Sequence, residues 1–190
     1  MERSRANGPL FWGTAAVIVA ADVYTKQLAV ERLTHQGMPR EVWGEAVRLW
    51  LVYNPGAAFG LHLGPWSRWI FMALTVGALV VLGRLYRATL PGDVPRTLAL
   101  SLVCAGALGN LVDRVRSNLG VVDFIDVGVG SHRWPTFNVA DMAVSTGAFL
   151  LAWVLWGEDQ AAARNAGLAQ AQRDGGPSTI VNAGSSSEGA

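Results

Sequence analysis

Lysine is nearly absent from this chain: Lys26 stands alone against fourteen arginines, a bias that reads mainly as codon usage. Cysteine is as scarce. Cys104 is the single one in 190 residues, so no intramolecular disulfide can form and no cysteine zinc cluster is available. It lies inside an apolar run and reads as a packing residue. Charge is also thin, at 15% of residues with a formal net of +1, which offers nothing for nucleic acid to bind.

Apolar residues fill the space these absences leave. They make up 51% of the chain, and the mean hydropathy is positive at +0.29. Twenty-two glycines and eight tryptophans suit a membrane bundle with interfacial anchors better than a soluble core. The length suits one domain. Four apolar stretches stand out, predicting helices over about 9–30, 66–85, 97–114 and 137–156. The uncharged cores of the last two, Thr97 to Val112 and Met142 to Gly157, are shorter than the roughly 20 residues of a full span, so their polar ends must reach the interface. Arg3 and Arg5 ahead of the first run also fit a cleaved signal peptide. The run continues past Asp22 to Val30 without a clean small-residue cleavage site, which favours a span.

Parity then sorts the polar residues. With four spans both termini share one side. The 31–65 loop, the 115–136 loop and the helix ends that border them share the other, and Asp22, Lys26, Asn54, Asn110, Arg114, Asp123, Asn138 and Asp141 all belong to that second face. Arg84, Arg87 and Arg96 flank the short 86–96 loop and favour that side, with the termini, as cytoplasmic. Trp66, Trp69 and Trp134 fit an aromatic belt on the polar face, and Trp153 and Trp156 one on the other. Val47 to Tyr53 alternates and is rich in β-formers before the turn Asn54-Pro55-Gly56, so a small surface sheet is expected between helices 1 and 2. The expected architecture is an all-α membrane domain over 1–157, followed by a disordered cytoplasmic tail over 158–190 rich in Ala, Gln, Gly and Ser.

Two acidic motifs carry the chemistry: Val121-Val122-Asp123-Phe124-Ile125-Asp126 and Phe137-Asn138-Val139-Ala140-Asp141. Carboxylates near hydrocarbon are costly and are usually kept for a function. Two brought close cannot both ionise easily, so they share a proton, one serving as base and the other as acid. Asp123 and Asp141 are the expected pair. Asp126 is a rival for Asp123, and spacing alone does not choose between them. Asp141 near a helix start also suits the helix dipole, and Asn138 a helix cap. Asn110 and Arg114 are four apart and share a helix face, as do Asp22 and Lys26, which can form a local salt bridge.

These residues fall within five segments: Asp22-Val23-Tyr24-Thr25-Lys26, Tyr53 to Gly60, Gly106 to Arg114, Val122 to Asp126, and Phe137 to Asp141. In that order, over roughly residues 9–157, the chain resembles the lipoprotein signal peptidases (signal peptidase II), bacterial membrane aspartic peptidases. Pro55 stands where such proteins often have Thr, and Gly60 where they often have Ser; neither touches the acid pair. The resemblance implies Asp123 and Asp141 as the catalytic aspartates, with Asp22, Lys26, Asn54, Gly56, Asn110, Arg114 and Asn138 lining or supporting the pocket. It implies cleavage of diacylglyceryl-modified prolipoproteins just before the lipidated cysteine, with no metal and no cofactor. It also implies residence in the bacterial inner membrane as a monomer among lipid, with the site facing the extracytoplasmic side. A small ion-coupled transporter is the competing reading, but transporters place acids near the midplane and show repeats, and neither is visible here. A non-enzymatic scaffold would have no need of paired carboxylates.

Overall fold

The computed structural model describes residues 3–35, 38–55 and 64–174. Four long helices form, α1 (Arg3–Leu33), α2 (Ser67–Ala88), α3 (Val94–Arg116) and α4 (Val139–Asp174), together with strands β1 (Arg40–Trp43), β2 (Val47–Asn54), β3 (Val121–Val129) and β4 (His132–Arg133). Among the described residues, α2, α3 and α4 are long and apolar enough to cross a membrane, with mean hydropathies of 1.8, 1.5 and 1.6. α1 has the length, at 31 residues, but Pro9, Asp22 and Lys26 dilute its apolar character.

α1 starts earlier than the sequence suggested. Pro9 had marked the boundary, yet it stands inside the helix. The first turns are held from outside: the Asn7 Nδ2 donates to the Leu90 carbonyl at 2.8 Å, and its Oδ1 accepts from Gly92 N at 2.9 Å. This buried amide ties α1 to the turn between α2 and α3, where Gly92 takes a φ of +81°. α3 opens on Asp93, whose side chain accepts from Arg96 N at 3.1 Å, an N-cap that satisfies an otherwise orphaned donor. Phe11, Tyr86, Leu100 and Cys104 form the core at this end, with the Phe11 and Tyr86 rings stacked at 4.0 Å. Cys104 is therefore a packing residue, as its apolar setting predicted.

α3 and α4 meet through small residues. A Cβ on Gly106 would overlap the Ala140 carbonyl, and one on Gly147 would lie 2.8 Å from the Ala99 carbonyl. Close helix approach of this kind in membranes depends on missing side chains.

The sheet departs from expectation in where it comes from. Its order is β1-β2-β3-β4, antiparallel throughout, so half of it is supplied by the segment between α3 and α4. The run Val121-Val122-Asp123-Phe124-Ile125, rich in β-branched and aromatic residues, is a good strand, and the Gly130-Ser131 turn, with Gly130 at φ +54°, returns it as a hairpin. β3 is the longest strand, and β2 pairs with it from Val47↔Val127 to Asn54↔Val121, with one bulge between Leu49 and Val52. Val122 and Phe124 pack on Ala29 and Leu33 of α1, which seats the sheet on the end of that helix.

The described residues divide into two units at the boundary between Trp153 and Val154. In the second, the expected disordered tail from 158 is corrected: the helix persists to Asp174, and residues 155–173 are exposed. The Ala-, Gln- and Arg-rich stretch Gln160 to Arg173 has high intrinsic helix propensity, which low hydrophobicity concealed. Residues 175–190 lie outside the described residues, as does the Gly- and Ser-rich end.

Candidate active site

Asp123 lies on β3 and Asp141 in the first turn of α4, and Asn138, just ahead of that helix, touches both. The Asn138 Nδ2 donates to Asp123 Oδ1 at 2.7 Å, while its backbone N–H donates to Asp141 Oδ2 at 3.2 Å. Asn138 Oδ1 accepts from Asp141 N at 2.9 Å, completing a reciprocal cap of the capping-box kind. The helix-cap readings of Asn138 and Asp141 hold, and capping the helix is what fixes Asp141 beside β3. Asn138 is fully buried and Asp123 nearly so, while Asp141 is half-buried.

A second layer steadies this pair. The Asn110 Nδ2 donates to Asp141 Oδ1 at 2.7 Å, and its Oδ1 accepts from Asn138 Nδ2 at 3.2 Å and from Lys26 Nζ at 3.0 Å. Lys26 is buried and also pairs with Asp22 at 2.8 Å and with Asp113 at 2.9 Å, so its three N–H donors are fully used. Asp22 does more than form a local salt bridge: its Oδ1 accepts from Ala140 N at 2.8 Å, at the start of α4. Gly109 is required for that reach, since a Cβ there would come within 2.5 Å of Asp22 Oδ2.

Asn54, at the end of β2, donates from Nδ2 to Asp123 Oδ2 at 3.2 Å. The neighbouring Gly120 holds a φ of +104°, and any Cβ there would strike the Asn54 carbonyl. Arg114 donates to the Asn110 carbonyl at 3.2 Å and lies over the Phe71 ring at 5.6 Å. Its buried Nε has no acceptor among the described residues. Gly56 and most of the 54–60 loop lie outside the described residues.

Burial is the main influence on Asp123, and the nearby Asp141 carboxylate adds to it; together they push its carboxyl up to about 6, against hydrogen bonds from Asn54 and Asn138 and the charge of Lys26. Asp126 has a different fate. Its Oδ2 accepts from Arg48 Nε at 2.9 Å and Nη2 at 2.8 Å, and its Oδ1 from Arg133 Nε at 2.9 Å. Burial alone would raise its carboxyl, but these bonds and charges hold it below the usual carboxylate range. Three residues apart on one strand, the two acids face opposite sides, and Asp123 is the one that shares Asn138 with Asp141.

Sequence reasoning gave Asp113 no role. The structure makes it the second carboxylate on Lys26 and the acceptor for Val122 N at 3.2 Å, tying α3 to β3. The signal was its position three residues after Asn110, on the same helix face. The Arg48 and Arg133 clamp on Asp126 was also missed, because it needs the β2–β3–β4 pairing.

Buried Asp123 on the sheet and half-buried Asp141 thus lie together at the ends of long apolar helices, the arrangement of a membrane protein with two acids held close. Comparison with known proteins agrees. The family model for signal peptidase (SPase) II matches residues 14–157. The lipoprotein signal peptidase of Cupriavidus taiwanensis is 45% identical over 148 residues, covering 75% of this chain and 81% of the relative. That of Pelotomaculum thermopropionicum is 44% identical over 142 residues, covering 74% and 87%. Two solved structures, described as bacterial membrane enzymes determined by the in meso method at 2.3 and 1.9 Å resolution, align at TM-scores of 0.70 and 0.67. Both are 30% identical; they cover 79% and 77% of this chain, and the chain covers 89% and 92% of theirs. The chain belongs to the signal peptidase II family.

Proposed function

We propose that this chain is an aspartic endopeptidase that removes signal peptides from diacylglyceryl-modified prolipoproteins, cutting just before the lipidated cysteine. The observation that carries the reading is Asn138, which bonds Asp123 and Asp141 at once in a buried site. Asp123, with its raised carboxyl, is the member that holds the shared proton. Asp141 takes a proton from water as that water attacks the scissile carbonyl, and Asp123 donates to the carbonyl oxygen. Collapse of the tetrahedral intermediate then passes a proton to the leaving cysteine nitrogen. Asn54 and Asn138 orient Asp123, Asn110 orients Asp141, and Lys26 with Asp22 and Asp113 forms the rigid base. Arg114, with a buried donor to spare, faces the polar part of the substrate.

We further propose four spans. The Asp22 and Lys26 charges of α1 pair inside the fold rather than facing lipid, which makes α1 compatible with a membrane. Both termini are then cytoplasmic and the sheet extracytoplasmic in the inner membrane. The exposed Trp66, Trp69 and Trp134 on one side, and Trp153 and Trp156 on α4, suit the two interfaces. The enzyme acts as a monomer surrounded by lipid. The test is gel-shift cleavage of a purified diacylglyceryl prolipoprotein by the wild type, Asp123→Asn and Asp141→Asn. Cleavage by the wild type alone supports the reading; undiminished cleavage by either variant overturns it.

A further inference from the structure

The sheet carries a second polar groove that the acid pair does not use. It is an open cavity of about 440 Å³ lined by residues that include Arg48, Trp50, Asp126, Arg133 and Trp134. A neighbouring cavity of about 390 Å³ holds Asp141 with Met142, Ser145 and Thr146 of α4, and Trp134 lines it too. The two cavities therefore meet at one side chain. Asp141, Met142, Ser145 and Thr146 lie at positions i, i+1, i+4 and i+5, a single helix face running from the acid pair along the apolar span. A peptide held at the pair has one arm along that face and the other over Trp134, onto the sheet.

Charge gives the second arm its character. Two guanidinium groups share one carboxylate, which leaves the groove with a net positive charge. Every nitrogen of Arg133 has an acceptor: Nε donates to Asp126 Oδ1, Nη2 to the Asp126 carbonyl at 3.1 Å and Nη1 to the Glu45 carbonyl at 2.6 Å. Arg48 differs. Its Nε and Nη2 hold Asp126, and among the described residues its Nη1 has no acceptor. A half-buried arginine oriented by a carboxylate, with one N–H edge free, is preorganised to take another carboxylate.

We infer that this groove is a subsite for the mature segment that follows the cleaved bond, and that Arg48 makes it favour acidic residues just after the lipidated cysteine. The inference rests on the peptidase reading, because that reading fixes which arm is released. The test compares kcat/KM for two diacylglyceryl prolipoproteins that differ only in the second and third mature residues, Asp-Asp or Lys-Lys, in one detergent. The ratio is taken within each enzyme preparation, so the folded fraction cancels. Wild type should prefer the acidic substrate by about fivefold, equivalent to about 1 kcal/mol. Arg48→Lys should keep a preference, Arg48→Gln should bring the ratio near unity, and Arg48→Glu should invert it. A wild-type ratio of one, or a ratio unchanged in Arg48→Glu, overturns the subsite. Failure of the wild type to cleave either lipidated substrate would instead overturn the peptidase reading, and the subsite with it.

Discussion

Asp123 and Asp126 stand three residues apart on one strand, and the fold gives them opposite electrostatics. Asp126 turns to two arginines, which hold its carboxylate ionised and use it to clamp β2, β3 and β4 together. Asp123 turns to the helix ends, where its side-chain partners are two neutral amides and a second acid lies close by. One side of the strand compensates a charge fully; the other leaves it poised. A residue whose charge is fully compensated is useful to folding. A residue whose protonation is balanced by burial and a like charge is useful to chemistry.

The widest separation between the two should appear in turnover. Asp123→Asn should lower kcat by at least about a thousandfold, in the range set by removing a triad or dyad member. Asp126→Asn should leave cleavage within a small factor of wild type but lower the unfolding midpoint, because two arginines lose their counter-ion, at about 1–3 kcal/mol. Comparable turnover losses in the two variants would erase the distinction. Lys26→Met extends the comparison into the helix bundle. It strands Asp22 and Asp113 without their cation and should cost about 3–5 kcal/mol of stability, read from chemical or thermal unfolding in detergent.

Asn54→Ala sharpens the comparison on the poised side. It removes one hydrogen bond to Asp123 at the end of a strand, so kcat/KM should fall more than about tenfold, or about 1.4 kcal/mol, with little change in unfolding midpoint. Normal cleavage with a markedly lower midpoint would make Asn54 structural. The smallest effect is the pH dependence of stability. The raised Asp123 carboxyl binds its proton more tightly when folded, so its contribution is complete below 3.8 and is lost as pH rises through about 6. Asp126 has the opposite sign: its contribution is present above the ordinary value of 3.8 and is lost as pH falls through its depressed one. Wild type should therefore lose stability between about pH 4 and 6, a decline that the unfolding midpoints of Asp123→Asn should lack, and those of Asp126→Asn should lack the loss at lower pH.

Much of this was readable before any coordinates. Long apolar periods announce helices, and parity alone gathered Asp22, Lys26, Asn54, Asn110, Arg114, Asp123, Asn138 and Asp141 on one face. The structure joins Lys26, Asn110, Asn138 and both acids in one continuous hydrogen-bonded network. Less legible was anything that depends on long-range pairing. β3 was read as an acidic motif and not as a strand, so the sheet was assigned to one loop when it draws on two. The Asp113 link to Lys26 and the Arg48 side of the Asp126 clamp likewise need elements about 80 residues apart to meet. Helix ends were misjudged where local composition misleads, at Pro9 and in the alanine-rich segment beyond residue 158.

In the proposed acid pair Asp123, and not Asp141, carries the shared proton, while Asp126 stays outside the pair between its two arginines. Isotope-edited infrared spectroscopy of aspartate-labelled enzyme reads this directly, as the difference between wild type and each Asn variant across pH. A protonated-carboxyl band is expected at pH 5 that titrates away with a midpoint near 6 in wild type and in Asp126→Asn, and that is missing from Asp123→Asn. The same band persisting in Asp123→Asn, or vanishing in Asp126→Asn, would contradict it.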